Sequence, residues 1–284
     1  MDLPRVLSHG REWAADFAGG AALACESLLL TTRVGEGKTD RFLHILLAVP
    51  LALYSAQYVP YLLTGWDVFR RIAAGPPVLV LLGMRCFFRA QLDACFSGAS
   101  QVLCAGGGGG EGTAGLADLE ATAEWRSDGA QTLRTLALYL STVVFSAAAG
   151  RILAVPVVGR LLACGASVLW LARMGFGYRA AAAASVVALV APGSGVGAAA
   201  EAAVVAVLVV RQLLSPLLIR DPTCHAMMAG TIDPAVAPTV LGFGAVVYAL
   251  MRVPYLGALA VCPAQAAAAA LAARVIAIKS AKAD

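Results

Sequence analysis

The chain of 284 residues is 60% hydrophobic and 13% charged, where an average soluble domain is roughly 45–50% apolar and about 25% charged. Its 21 basic and 17 acidic side chains cannot cover a body of this size in water without leaving large apolar patches, and a net charge of +4 calls for no polyanionic partner. These figures set aside a soluble enzyme, a nucleic-acid binder and a disordered scaffold, and leave an all-α polytopic integral membrane protein for which lipid is the solvent.

Residues 1–41 read as a mixed, charged lead-in. Met1 to Arg5 show no basic segment followed by an apolar stretch, and Asp2, Glu12 and Asp16 do not suit a transit peptide, so no amino-terminal targeting signal is expected. Within the lead-in, residues 16–30 are apolar enough for a short interfacial helix ended by Gly35 and Gly37.

The run Phe42 to Leu63 has the length of a membrane span. Pro50 and Pro60 each remove a helical donor inside it. Tyr54, Tyr58, Tyr61 and Trp66 form the aromatic belt of a membrane–water interface, and Arg70 and Arg71 close the segment. Residues 76–88 are apolar but too short to span, with Arg85 and Arg89 flanking Cys86-Phe87-Phe88. The glycine tract Gly106 to Gly110, followed by Glu111, Asp118, Glu120, Glu124 and Asp128, marks residues 98–130 as a flexible, acidic, extramembrane connector. The expected regions are therefore 1–97, holding the lead-in helix and first membrane segments, the connector 98–130, and a membrane helical region 131–284.

From Leu136 to Ile278 the acids are Glu201, Asp221 and Asp233, and arginines punctuate apolar runs near 136–150, 152–172, 180–210, 235–251 and 253–273. Several of these runs are shorter than a span and carry Pro or Gly. That pattern predicts long spanning helices mixed with half-penetrating hairpins, whose broken backbone must be satisfied by protein or water.

Val155-Pro156-Val157-Val158-Gly159 recurs as Val253-Pro254-Tyr255-Leu256-Gly257, and at the same offset Leu161 meets Leu259 and Cys164 meets Cys262. A Pro that starts or bends a helix, with a Gly about one turn later, lets a second backbone approach. Together with Phe176-Gly177-Tyr178, Gly242-Phe243-Gly244 and the Ala-rich helix after Pro263, these residues resemble the CysZ / etoposide-induced-protein family of membrane proteins over residues 136–278. The resemblance implies spanning helices with half-penetrating hairpins, and it raises sulfate-like anion permeation as a function. The chain departs from the family at Arg179, where members often carry an acidic residue close to the Phe/Tyr cluster.

Among chemistry-bearing residues, Glu201 is an intramembrane carboxylate, a functional position by default, or else the partner of an arginine such as Arg211 near a hairpin tip at Gly193-Ser194-Gly195. Arg151, Arg160, Arg211, Arg220 and Arg252 cap apolar runs. They are expected to snorkel to anionic lipid such as cardiolipin, or to line an anion path. Cys224-His225 between Asp221 and Asp233 fits no zinc spacing, so no metal is expected. No catalytic triad is readable, and neither a cofactor nor catalysis is expected. The seven cysteines contain no CxxC and read as reduced, mostly buried thiols.

Two functions follow. One is a non-catalytic accessory subunit of a larger organellar membrane complex of respiratory or ATP-synthase type, contacting lipid and other membrane subunits. The mitochondrial inner membrane is its expected site, with the endoplasmic reticulum or a bacterial inner membrane as alternatives. The other is an anion channel or transporter of the CysZ type, in which Arg252, Arg151 and Glu201 converge on a wet cavity.

Overall fold

The computed structural model describes residues 3–28, 81, 83–85, 88–105, 113–117, 195–220, 224, 232–253 and 256–283, with isolated positions between 48 and 55 and between 137 and 186. The described residues form helices and turns, with no strand among them. The helices are α1 (Leu3–Ser27), α2 (Arg89–Ala105), α3 (Gly195–Leu213), α4 (Ser215–Arg220), α5 (Ala237–Met251), α6 (Leu256–Leu259) and α7 (Val261–Ala283).

The core helix is α7. Its alanines, the strongest helix formers, hold the segment helical without help from long side chains. Ala264, Ala266 to Ala269 and Leu271 are fully buried, and a helix that is apolar all round belongs in an interior. Pro263 sits in its first turn, where the missing N–H breaks no helical bond. The stretch Val261–Ala281 is long and apolar enough to cross a membrane, and most of it is buried inside the molecule. Ala202–Leu213 and Ala237–Met251 are shorter apolar helices.

Helix α5 lies between α1 and α3, and glycines set both approaches. A Cβ on Gly242 would collide with the Phe17 carbonyl and lie 3.1 Å from the Ala21 amide nitrogen, both on α1. A Cβ on Gly20 would in turn meet the Thr239 backbone, with the Thr239 Cα at 2.9 Å. The pairing of 17 with 242 and 20 with 239 makes α1 and α5 antiparallel. A Cβ on Gly244 would come within 2.8 Å of the Ala206 carbonyl oxygen on α3. Residues two apart on a helix point about 200° from one another. Gly242-Phe243-Gly244 therefore presents a bare backbone to a different helix on each side, while Phe243 is fully buried between them.

Upstream of α5, Asp233 builds the turn. Its carboxylate Oδ1 accepts the Ala235 N–H at 3.0 Å, and its carbonyl accepts those of Val236 and Ala237 at 2.9 Å. This is the local side-chain-to-backbone bonding that lets Asp start a helix. Helix α2 packs its buried Leu92, Cys95, Phe96 and Ala99 against α7, so residues of α1, α2, α3, α5 and α7 share one apolar core.

Two expected boundaries move. The lead-in helix was expected at 16–30, whereas α1 begins at Leu3, because Arg11, Glu12, Trp13 and Asp16 are all exposed and charge on a solvated helix is no obstacle. Position 98, expected to open a flexible connector, lies inside α2, where Gly98, Ala99 and Ser100 are buried. Residues 113–117 are helical too, with Leu116 buried and a Cβ on Gly115 brought to 2.7 Å from Ile276 Cγ2 of α7. The first apolar run at 42–63 and the glycine tract lie outside the described residues, apart from isolated positions in the former.

Candidate functional site

Helix α3 ends in a valine-rich turn, and α4 resumes one residue later with Pro216 in its second position. Proline supplies no N–H, so the Gln212 carbonyl one turn earlier loses its helical donor. Leu214 N–H to Val210 O at 2.8 Å and Leu218 N–H to Leu214 O at 3.0 Å keep the two pieces in line. The carbonyls at this break are the negative end of α3, a position that attracts donors and cations.

Two side chains from distant parts of the chain reach one of these carbonyls. Gln265 of α7, fully buried, donates from Nε2 to Leu213 O at 2.8 Å. Arg85, in the helical residues 83–85 just before α2, donates from Nη2 to the same oxygen at 3.4 Å and to Gln265 Oε1 at 2.8 Å. The Arg85 side chain is 4% exposed, and a guanidinium so enclosed must be paired. Asp93 of α2 provides the pair. Its Oδ1 accepts from Arg85 Nη1 at 2.9 Å, and its Oδ2 accepts from Arg89 Nε at 3.4 Å.

The arrangement joins three helices by charge and hydrogen bonds in a largely apolar interior. Asp93 holds two arginines, one at the i,i+4 spacing of its own helix. Arg85 spans from Asp93 to Gln265, and Gln265 closes onto the broken end of α3. Arg85 Nε is buried without a hydrogen-bond partner.

The arginines expected at the membrane face different surroundings. Arg252 is exposed at the C-terminal end of α5, a favourable place for a cation. Its Nη1 donates to the Tyr248 hydroxyl at 3.3 Å, and its Cζ stands 5.7 Å from the Tyr248 ring centroid. Val253 and Leu256 beside it are exposed apolar residues. Arg211 is enclosed by protein, with 7% exposure, and so does not sit on the outer surface as a snorkelling arginine would. Arg220 ends α4, and Glu201 lies in the second turn of α3, but their side chains lie outside the described residues, as do Arg151 and Arg160 altogether. The expected meeting of Arg252, Arg151 and Glu201 therefore falls outside what the structure describes, and Gly193-Ser194 and His225 do as well.

Cys95, Cys224 and Cys262 are buried thiols, Cys104 is part-buried and Cys25 is exposed. Among the described residues no group of three or more His, Cys, Asp and Glu side chains gathers as a metal site would require. Sequence reading missed the Arg85–Asp93–Gln265 centre. Two signals pointed to it: Arg89 and Asp93 at helical i,i+4 spacing, and a lone amide at Gln265 interrupting the alanines of 264–270.

Comparison of the chain with models of known protein families, with curated proteins and with solved structures returns no match.

Proposed function

We propose that the chain is a polytopic integral membrane protein, with spanning helices and shorter interrupted ones, that serves as a non-catalytic accessory subunit of a larger organellar membrane complex. A respiratory or ATP-synthase assembly of the mitochondrial inner membrane is the favoured setting. The observation that carries this reading is the Arg85–Asp93–Gln265 centre. Apart from Arg85 Nε, its donors and acceptors named here bond one another and the Leu213 carbonyl, an arrangement that holds helices together. The Gly and Ala contacts among α1, α3, α5 and α7 are the kind that pack helices in lipid, where apolar burial gives no drive. Arg252 with Tyr248, next to exposed Val253 and Leu256, suits a helix end at a lipid headgroup layer, with an anionic lipid such as cardiolipin as its ligand.

The test is extraction in a mild detergent followed by a native gel and mass spectrometry. Co-migration with a stoichiometric set of other membrane subunits supports the reading. Migration of this chain without other proteins overturns it.

A second reading rests on Arg211, which the described bundle encloses at 7% exposure. An enclosed arginine suits an anion path of the CysZ type. Anion flux into vesicles containing only this protein, lost on Arg211→Ala, would establish it in place of the subunit reading.

A further inference from the structure

Helices α1 and α5 are in backbone contact at their crossing and part beyond it. At Gly20 and Gly242 an added Cβ on either helix would strike the backbone of the other. Seven residues, about two turns, return a helix to the same face. Gly10 stands seven before Phe17 and Ala249 seven after Gly242, so the antiparallel register sets these two opposite each other. Both are exposed, and a Cβ on Gly10 would meet nothing within 4 Å. The facing sides of α1 and α5 therefore open into a wedge about 10 Å beyond their crossing, at 1.5 Å per residue.

The walls of this wedge are apolar. On α1, exposed Trp13 stacks on Phe17 with ring centroids 5.5 Å apart. On α5, Ala249 is followed one turn later by exposed Val253. Among the described residues, the large apolar side chains left exposed are Trp13, Val186, Val253 and Leu256, and all but Val186 belong to this end of the pair. The charges of this part of α1 stand off the wedge. At about 100° per residue, Arg11, Glu12 and Asp16 lie about 110° or more from the line through Gly10 and Phe17, whereas Trp13 lies about 50° from it. The cation at the rim is Arg252. It is exposed, it neighbours Ala249 at i,i+3 on the helix surface, and its Nη1 donates to the Tyr248 hydroxyl at 3.3 Å.

An apolar wedge with a cation at its rim matches a ligand with an apolar chain and an anionic head. Because the wedge narrows to backbone contact, its inner part suits an acyl chain rather than a helix about 10 Å across. We infer that it binds one phospholipid, with an acyl chain between Trp13 and Ala249 and the phosphate on Arg252. This rests on the reading of Arg252 as a headgroup contact and adds the seat of the chain, so head and chain are tested apart.

Tryptophan fluorescence of the full chain in phosphatidylcholine vesicles tests the seat. The chain has four tryptophans, and Trp66→Phe, Trp125→Phe and Trp170→Phe leave Trp13 as the reporter. Phosphatidylglycerol brominated at mid-chain is expected to quench Trp13 saturably, where brominated phosphatidylcholine quenches only in proportion to its amount. Ala249→Phe, which fills the wedge, should cut the saturable part several-fold with Arg252 in place, and Arg252→Ala should do the same. Native mass spectrometry of the chain with its own tryptophans, with and without Ala249→Phe, reads the same site as retained phosphatidylglycerol. Unchanged thermal melts establish that the variants are folded. Loss on Arg252→Ala but not on Ala249→Phe overturns the wedge and leaves the headgroup contact standing. Displacement by glycerol phosphate, a head without a chain, does the same. Absence of saturable quenching together with no retained phosphatidylglycerol overturns both. A Trp13 shielded from lipid bromine and aqueous iodide alike places protein in the wedge and overturns the inference.

Discussion

Arg85 and Gln265, 180 positions apart, are joined by a 2.8 Å hydrogen bond from Arg85 Nη2 to Gln265 Oε1, and both reach the Leu213 carbonyl. The bond ties the segment before α2 to the central helix α7 at the point where α3 breaks. Its energetics depend on Asp93, which balances the charge of Arg85.

Removing that balance is the most damaging single change expected in the described bundle. Asp93→Asn leaves the Arg85 guanidinium buried without its carboxylate and is expected to cost about 3–5 kcal/mol. Arg85→Met with Asp93→Leu removes both charges and is expected to be less destabilising than Asp93→Asn alone, with a coupling of about 0.5–3 kcal/mol between the sites. Thermal melts in detergent measure both. Independent, additive effects of the two substitutions would contradict the pairing.

Gln265→Leu keeps the approximate volume of the side chain and deletes the amide. Arg85 Nη2 then loses its better acceptor and Leu213 O its better donor. The expected loss is about 1–3 kcal/mol, the usual consequence of leaving buried polar groups unsatisfied. The same melts report it, and a variant as stable as the parent would show that the amide is dispensable.

Gly242→Ala is expected to separate α1 from α5, because the new methyl has only the Phe17 backbone to displace. The loss should exceed the roughly 1–3 kcal/mol of ordinary overpacking, since backbone yields less readily than a side chain. Gly10→Ala is the contrasting control. Gly10 is helical and exposed with open space around it, so alanine there should add about 0.5–1 kcal/mol. Equal melting temperatures for the two variants would refute the close helix contact.

Arg252→Ala should leave stability within about 0.5 kcal/mol, the ordinary range for an exposed side chain. Its expected effect is on lipid. Native mass spectrometry should show less co-purified anionic lipid, and Arg252→Lys should retain part of it, because a lysine keeps the charge without the planar fork. Unchanged lipid retention in Arg252→Ala would remove the lipid role from this residue.

Sequence periodicity disclosed the elements whose own residues decide them. The run 235–251 became α5 because apolar residues follow an Asp–Pro turn, and the Ala-rich stretch after Pro263 became α7 because alanine needs no partner to be helical. Gly242-Phe243-Gly244 stood out as a motif, but which helix each glycine meets depends on residues far away in the chain. The extent of α1 was hidden by Arg11, Glu12 and Asp16, which look like a boundary and are exposed on the helix. The polar centre was hidden for a different reason. In the sequence Arg85 merely flanks Cys86-Phe87-Phe88, and only the fold brings it to Asp93, Gln265 and the Leu213 carbonyl.

The central claim is that lipid solvates this helical bundle. Alkaline carbonate extraction of membranes from cells making the full chain tests it most directly, since it strips peripheral proteins and leaves integral ones in the pellet. The chain is expected to remain wholly in the pellet and to be released only by detergent. Its appearance in the carbonate supernatant as a monodisperse, folded protein would contradict the claim.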